Sequence, residues 1–249
     1  MIRNNAQVIS LVPSWTETLI SANVNVVGRT RFCIHPAGKT AQLPSVGGTK
    51  GFDFHKILAL RPDFVILDRE ENKKEMAQVL LSAGIRILVS EVTNLEKAAQ
   101  FLFQVGQELN SVALASFGDR YLKVIEQKKN VSRLKFLSLI LVEGNWNDID
   151  FNNFEYVIWK DPYMVIGLNT FIADVLSYGG VKVKTQEKYP EISESRLIEK
   201  SSLLSTEPYP FQKEIVEMRK KGFKTVLVDG EKISWYGIRN LLFLESCLK

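Results

Sequence analysis

The sequence predicts an α/β protein of two lobes, each built on a parallel sheet, joined by one long α-helix. Three observations carry this. Short β-branched runs alternate with amphipathic stretches over the first ninety or so residues; a long segment without strand signal or proline follows; the alternation then resumes to the end. The boundaries read from this pattern are an N-terminal lobe over 1–93, a connecting helix over 94–130 and a C-terminal lobe over 131–249.

Val8–Val12 is an apolar run of strand length, stopped by Pro13. Ser14 and Glu17 have the spacing of a capping box for a helix over Thr16–Ala22. A helix N-terminus with Trp15 beside it is therefore expected at the carboxyl end of the first strand, where open α/β sheets bind ligands. Helices follow over Phe54–Leu60 and Lys73–Ala83, the second stopped by Gly84, with strands at Phe64–Leu67 and Ile85–Val89. From Leu95 to about Lys128 an apolar stripe at three- to five-residue steps (Leu95, Ala98, Leu102, Val105, Leu109, Val112) predicts one helix capped by Asn94, with Gly106 and Gly118 as soft spots. Unbroken, it spans about 50 Å at 1.5 Å per residue, enough to run from one lobe to the other. The second lobe predicts strands at Lys135–Val142, Tyr156–Trp159, Ser201–Ser205 and Thr225–Val228. Its helices are expected at Thr170–Tyr178, closed by Gly179-Gly180, and at Phe211–Lys221 and Tyr236–Cys247.

Composition excludes several classes. A 45% hydrophobic and 24% charged chain of 249 residues is ordinary globular protein. Thirty-two basic and twenty-eight acidic residues are interleaved to a net +4, with no nucleic-acid footprint. No stretch of eighteen apolar residues is present, so membrane insertion is not expected. Met1 runs into the first strand within seven residues, which reads as a cytoplasmic protein, or a periplasmic or lipid-anchored one whose leader was removed. Cys33 and Cys247 have no paired spacing, and His35 and His55 are the only histidines, so neither a disulfide framework nor a histidine-based metal centre is indicated.

Aromatic and polar residues supply the binding candidates: Trp15 in the turn after the first strand, Gly48 and Thr49 of the Gly47-Gly48-Thr49 turn, Trp159, Tyr163, Trp235, Tyr236 and Arg239. Any one of these aromatics can equally be core, and Arg239 can equally pair with Glu231 or Glu245. Asp68, Glu70, Glu71, Glu143 and Glu207 also fall at or just after strand ends. Singly they read as solvated loop carboxylates; converging, they would suit a cationic or polyhydroxylated ligand or a hard metal ion.

Four stretches carry a family resemblance: Ser10–Leu19 (SLVPSWTETL), Phe54–Ile66 (FHKILALRPDFVI), Leu168–Gly180 (LNTFIADVLSYGG) and, more loosely, Tyr236–Leu241 (YGIRNL). In this order and spacing they resemble the class III substrate-binding proteins, the helical-backbone metal receptors, and most nearly their cobalamin-binding branch. The resemblance implies two lobes on a rigid helix and a non-catalytic binding function. The implied ligand is cobalamin-like, or haem or an iron–siderophore complex, held in a cleft between the lobes. It implies Tyr163 as an aromatic packed on ligand and Arg239 as a basic ligand contact. It also implies docking to ABC importer subunits through one glutamate per lobe, but His55 and Ser195 stand at those positions. Thr49 and Asp68 stand where the cobalamin-binding branch carries Trp.

Three functions compete at this point. The first is a cytosolic carrier, sensor or store for a chelated-metal ligand. The second is an exported importer component. The third is an enzyme using Glu207, Glu143 or His35 as acid or base, against which stands the lack of any G-x-S-x-G, P-loop, H-E-x-x-H or dinucleotide motif.

Overall fold

The computed structural model describes residues 6–248, and their contacts divide them into two units. The first takes in residues up to Val92, Glu96–Lys123 and Tyr236–Leu241; the second takes in Thr93–Leu95, Val124–Trp235 and the residues from Leu242 onward.

The first unit begins with β1 (Val8–Ser10), whose three residues are all buried, as a strand covered on both faces requires. It continues through α1 (Pro13–Ser21), β2 (Val26–Arg29), α2 (Ala37–Thr40), β3 (Gly47–Gly48), β4 (Gly51–Phe52), α3 (Phe54–Leu60), β5 (Phe64–Asp68), α4 (Lys74–Ser82) and β6 (Arg86–Ser90). The sheet order is β2-β1-β5-β6, parallel throughout. Ile9, Leu11, Ile57, Val65, Leu67 and Leu80 close one core face. β3 and β4 form a separate antiparallel hairpin in which Gly47 takes φ 134°; a Cβ there would stand 2.7 Å from Gly51 O, so only glycine fits.

The segment expected to be one helix is two, α5 (Leu95–Glu108) and α6 (Val112–Glu126). The reason is a stop-and-start signal at Asn110-Ser111. Asn110 sits in the left-handed region at φ 50°, and the Ser111 N–H donates to Gly106 O at 2.8 Å while Asn110 N–H reaches Gln107 O, a Schellman ending. The Ser111 hydroxyl then accepts from Leu114 N–H and opens α6. The glycines read as soft spots serve instead as contact points between the two helices. A Cβ on Gly106 would lie 3.1 Å from Ala115 N, and one on Gly118 would lie 2.8 Å from the Phe103 ring. α6 contributes residues to both units.

The second unit holds α7 (Arg133–Ile140), β7 (Leu141–Glu143), β8 (Phe154–Trp159), β9 (Met164–Val165), α8 (Phe171–Tyr178), α9 (Glu194–Ile198), β10 (Ser201–Ser205), α10 (Ile215–Lys220), β11 (Lys224–Val228) and α11 (Gly230–Ser234). The last helix, α12 (Ile238–Leu248), again serves both units. The sheet order is β7-β11-β10-β8-β9, with β11, β10 and β8 parallel and both edges antiparallel, so this sheet is mixed rather than parallel throughout. The run Lys135–Val142, expected as a strand, is mostly α7. Ser132 caps it by accepting from Lys135 N–H, and Phe136, Leu137 and Ile140 are buried at helical spacing. Its leucines are not β-branched, and an apolar run this short satisfies either period. Phe211–Lys221 is a 3₁₀ turn followed by α10.

Candidate functional site

The carboxyl ends of β1, β2, β5 and β6 put four loops on one rim of the first unit, the edge at which open parallel sheets take ligands. After β2 comes Arg31–His35, where Phe32 (48% exposed) and Ile34 (51%) face solvent. The Arg31 guanidinium stacks 4.9 Å over the Phe32 ring, and both lie against Gly48 of the β3–β4 hairpin. Cys33 between them is buried. Its Sγ bonds to the hydroxyls of Thr16 (3.0 Å) and Thr30 (3.1 Å), and burial raises its pKa, so it is a neutral thiol rather than a ready metal ligand.

After β1, the proposed capping box does not form. Helix α1 starts at Pro13 behind Val12 without a side-chain cap, because Pro13 already fills the first turn. Ser14 Oγ is buried with no partner, and Glu17 is used elsewhere. Trp15 is core, not a ligand surface: it is 2% exposed, lying between Phe101 (centroids 4.8 Å) and Tyr236 (4.9 Å). Its Nε1–H donates to Ser90 Oγ (2.8 Å), and Ser90 donates to Asp68 Oδ2 (2.6 Å). Asp68, 3% exposed, also accepts from the backbone N–H groups of Glu70 and Glu71, so it ties down the loop after β5. Asn72 closes that loop, accepting from Asp68 N–H and donating to Thr49 O at 2.8 Å.

Glu71 stands next to this chain. Its Oε1 accepts from the Tyr236 hydroxyl at 3.4 Å. Burial first, and the Asp68 charge second, push its carboxyl up to about 8, against smaller opposing effects of the Tyr236 bond and Lys50. The Lys50 ammonium donates to Glu70 O at 2.7 Å. Tyr236 begins a segment held by three further bonds. Tyr121 OH donates to Gly237 O (2.8 Å) and accepts from Gly237 N–H (3.0 Å), and Ile238 N–H donates to Thr18 Oγ1. Arg239 makes a two-pronged pair with Glu17 at 2.8 and 2.9 Å.

In the second unit, the ends of β8, β10 and β11 build a rim of different character. Trp159, 41% exposed, meets Tyr209 edge-on at 5.7 Å, and Tyr209 packs on Phe211 at 4.6 Å. Lys160 and Glu214 pair at 2.6 Å; their bond raises the Lys160 pKa and lowers that of Glu214. Glu207 lies in the turn after β10, where its backbone carbonyl accepts from Ser205 Oγ, which also accepts from the Tyr156 hydroxyl. Tyr163 turns inward: it is 7% exposed and packs on Phe223 within the apolar core. Trp235 is half-buried directly after α11.

The sequence-based candidates Trp15, Asp68 and Tyr236 thus meet in one cluster, with Gly48 and Thr49 adjoining. Trp159 and Glu207 share the other rim, and Glu143 pairs with Arg219 on the sheet edge. Residue-by-residue reading missed Arg31, Phe32, Ser90 and Tyr209. Phe32 had a signal, an apolar ring flanked by Arg31 and Cys33 just past a strand, but Gly28 hid that strand. Among the described residues, no three His, Cys, Asp or Glu side chains are placed to hold a metal ion, and no helix is long and apolar enough to cross a membrane.

Residues 8–208 match the profile of a family described as periplasmic binding protein. The vitamin B12-binding protein of Salmonella typhi is 28% identical over 99 residues, 40% of this chain and 37% of that protein. That of Yersinia pestis (strain Pestoides F) is 30% identical over 103 residues, 41% and 36% respectively. The chain thus matches less than two-fifths of the length of these relatives. Among solved structures, the periplasmic vitamin B12 binding protein of Vibrio cholerae superposes with a TM-score of 0.71 at 16% identity, covering 98% of this chain and 95% of that one. A periplasmic heme-binding protein from Pseudomonas aeruginosa gives 0.73 at 19%, covering 98% and 92%. At these identities the likeness is one of fold.

Proposed function

Because this chain belongs to the periplasmic binding protein family, we propose that it is a non-catalytic receptor for a bulky metal chelate of the cobalamin, haem or iron–siderophore kind. The observation that carries the proposal is the aromatic surface left uncovered at strand ends: the Arg31-stacked Phe32 in the first unit and the Tyr209-braced Trp159 in the second. Exposed rings braced by a neighbour offer contact area at small entropic cost, as a large ligand with apolar faces needs. Gly48, Thr49, Glu207 and Trp235 are the polar and aromatic surroundings assigned to the same role. Relatives and fold neighbours named for vitamin B12, heme and an iron–Desferal complex support the ligand class. The polar residues nearby are held in structural bonds, Asp68 by the loop after β5 and Cys33 by two threonines, which favours binding over turnover. His55 in the first turn of α3 and Ser195 in α9 are both exposed and carry no carboxylate. That favours a receptor which does not deliver to an importer by glutamate docking.

The test is titration of the full chain with cyanocobalamin, haemin and ferrioxamine, read by absorbance and by thermal shift. One of the three is expected to bind stoichiometrically. Phe32→Ala and Trp159→Ala are each expected to weaken it about tenfold or more without lowering the unliganded melting temperature appreciably. No shift with any of the three at saturation overturns the reading.

A further inference from the structure

We propose a second binding site, for a small oxyanion of the phosphate kind, at the amino ends of β8 and β10. It lies at the opposite end of these strands from the rim that carries Trp159, and it is independent of the chelate reading.

A cleft of about 210 Å³ opens there between two loops, with Asn152, Glu155, Lys184, Thr185 and Lys200 in its lining. Sites for drug-sized ligands run to roughly 300–1,000 Å³, so this one admits an ion or a small head group and excludes a bulky chelate. Glu155, the second residue of β8, is 5% exposed. Its carboxylate is matched: Oε1 accepts from the Lys200 ammonium, and Oε2 accepts from the Thr185 hydroxyl at 3.0 Å. A buried charge pair does little for stability by itself, because desolvation consumes the Coulombic gain. Its consequence here is positional. Lys200, immediately before β10, is held in the cleft lining with 27% of its side chain exposed.

Both walls are fixed by bonds of their own. On one side Asp150 N–H donates to Ser201 Oγ, and Asp150 Oδ1 accepts from Asn152 N–H, each at 2.8 Å. On the other, Leu168 N–H donates to Thr185 O and Gly167 N–H to Lys188 O, again at 2.8 Å. Lys184 ties the two walls together, its ammonium donating to Asn152 O at 2.6 Å.

The donors left over name the ligand. An ammonium carries three N–H groups and no acceptor, and Lys184 and Lys200 each spend one. Two lysines against one glutamate also leave the lining with an excess of positive charge. Arg133, stacked 4.4 Å over Phe151 next to Asn152, and Lys224, opposite Ser201 in the sheet register, add to it. Ammoniums with unused donors on two sides of a small cleft suit a tetrahedral oxyanion, which lysine binds as a point charge.

The experiment follows amide resonances of the ¹⁵N-labelled full chain during titration with inorganic phosphate or glycerol 3-phosphate at constant ionic strength, with sodium chloride as the blank. The Asn152 and Thr185 amides are expected to move along a saturable curve, with a Kd on the order of 1 mM or lower. The tighter of the two probes tells whether the cleft takes the free ion or the phosphate of a larger molecule. Lys184→Met, whose lysine bonds an exposed backbone carbonyl, should weaken binding about tenfold and leave the melting temperature of the free chain unchanged. Lys213→Met, an exposed lysine in the 3₁₀ turn before α10, should leave the affinity where it was. So should Phe32→Ala and Trp159→Ala, which disturb only the surface assigned to the chelate. Shifts that rise linearly with either probe, equal weakening by Lys184→Met and Lys213→Met, or binding lost in Phe32→Ala or Trp159→Ala overturns the site.

Discussion

The two units end their parallel strands in rims of opposite construction. The first holds two carboxylates together: Asp68 is 3% exposed, Glu71 lies partly buried beside it, and the Trp15 indole is sealed by Tyr236 and Phe101. The second keeps its charge out. Lys160 and Glu214 pair with about a quarter of each side chain exposed, and Trp159 remains open to water. One topological position therefore hosts two electrostatic regimes. A charge with few partners in a poorly solvated site is costly, and its protonation is coupled to folding; a half-solvated pair is screened and couples weakly. The first rim should govern how stability depends on pH, and the second should be nearly silent.

The largest expected effect tests that contrast directly. Glu71 has its pKa raised from 4.5 unfolded to about 8 folded, so the folded state holds a proton that the unfolded chain has lost over this window. The contribution of this one group is accordingly full below about pH 4.5 and declines as pH rises towards 8, by about 1.4 kcal/mol per pH unit. The whole window amounts to at most about 5 kcal/mol. Urea denaturation at a series of pH values should show Glu71→Gln gaining on the unaltered chain as pH climbs, with the difference levelling off above 8. Parallel pH profiles for the two proteins would remove the distinction between the rims.

A second, somewhat smaller effect concerns what holds Tyr236 in place. Tyr121 satisfies both backbone groups of Gly237, and burial drives its hydroxyl pKa far upward. Tyr121→Phe strands a buried N–H and C=O, which costs about 1–3 kcal/mol. Because the Tyr236 ring packs 4.9 Å from the Trp15 indole, the same substitution should also raise quenching of Trp15 fluorescence. Tyr156→Phe, which removes one hydroxyl bond to Ser205 in the second unit, should lower stability without changing that quenching.

How much of this could be read from the sequence depended on whether the deciding contacts were local. Helix α3 was legible to the residue because Asp53 caps it on the spot, accepting from Lys56 N–H. Ser201–Ser205 was legible because a strand buried along its whole length needs only an unbroken run without charge. The helix break at Asn110 was local too, but it was written in a left-handed asparagine rather than in the more conspicuous Gly106 and Gly118. Strand β2 was hidden by Gly28, whose lack of a side chain makes room for Leu60. The site was harder still. That Trp15 is buried depends on Tyr236, more than two hundred residues away, and that Glu17 serves Arg239 rather than a capping box depends on the same closing segment. No periodicity near residue 15 contains that information.

The smallest expected effect lies in the second rim. The bond between Lys160 and Glu214 holds the Glu214 pKa below its ordinary value, so its contribution is present above that value and is lost only as pH falls through the lowered one. At neutral pH the pair is fully formed, yet half-solvated ion pairs contribute about 1 kcal/mol or less. Lys160→Met should therefore cost less than Tyr121→Phe at pH 7, and its cost should shrink with added salt and vanish in acid. A loss above roughly 2 kcal/mol that salt does not reduce would mean that Lys160 and Glu214 are as poorly solvated as Asp68. Then the contrast between the rims would be one of residue type alone, and the loss of stability expected from Glu71 as pH rises would have a counterpart at Glu214 in acid.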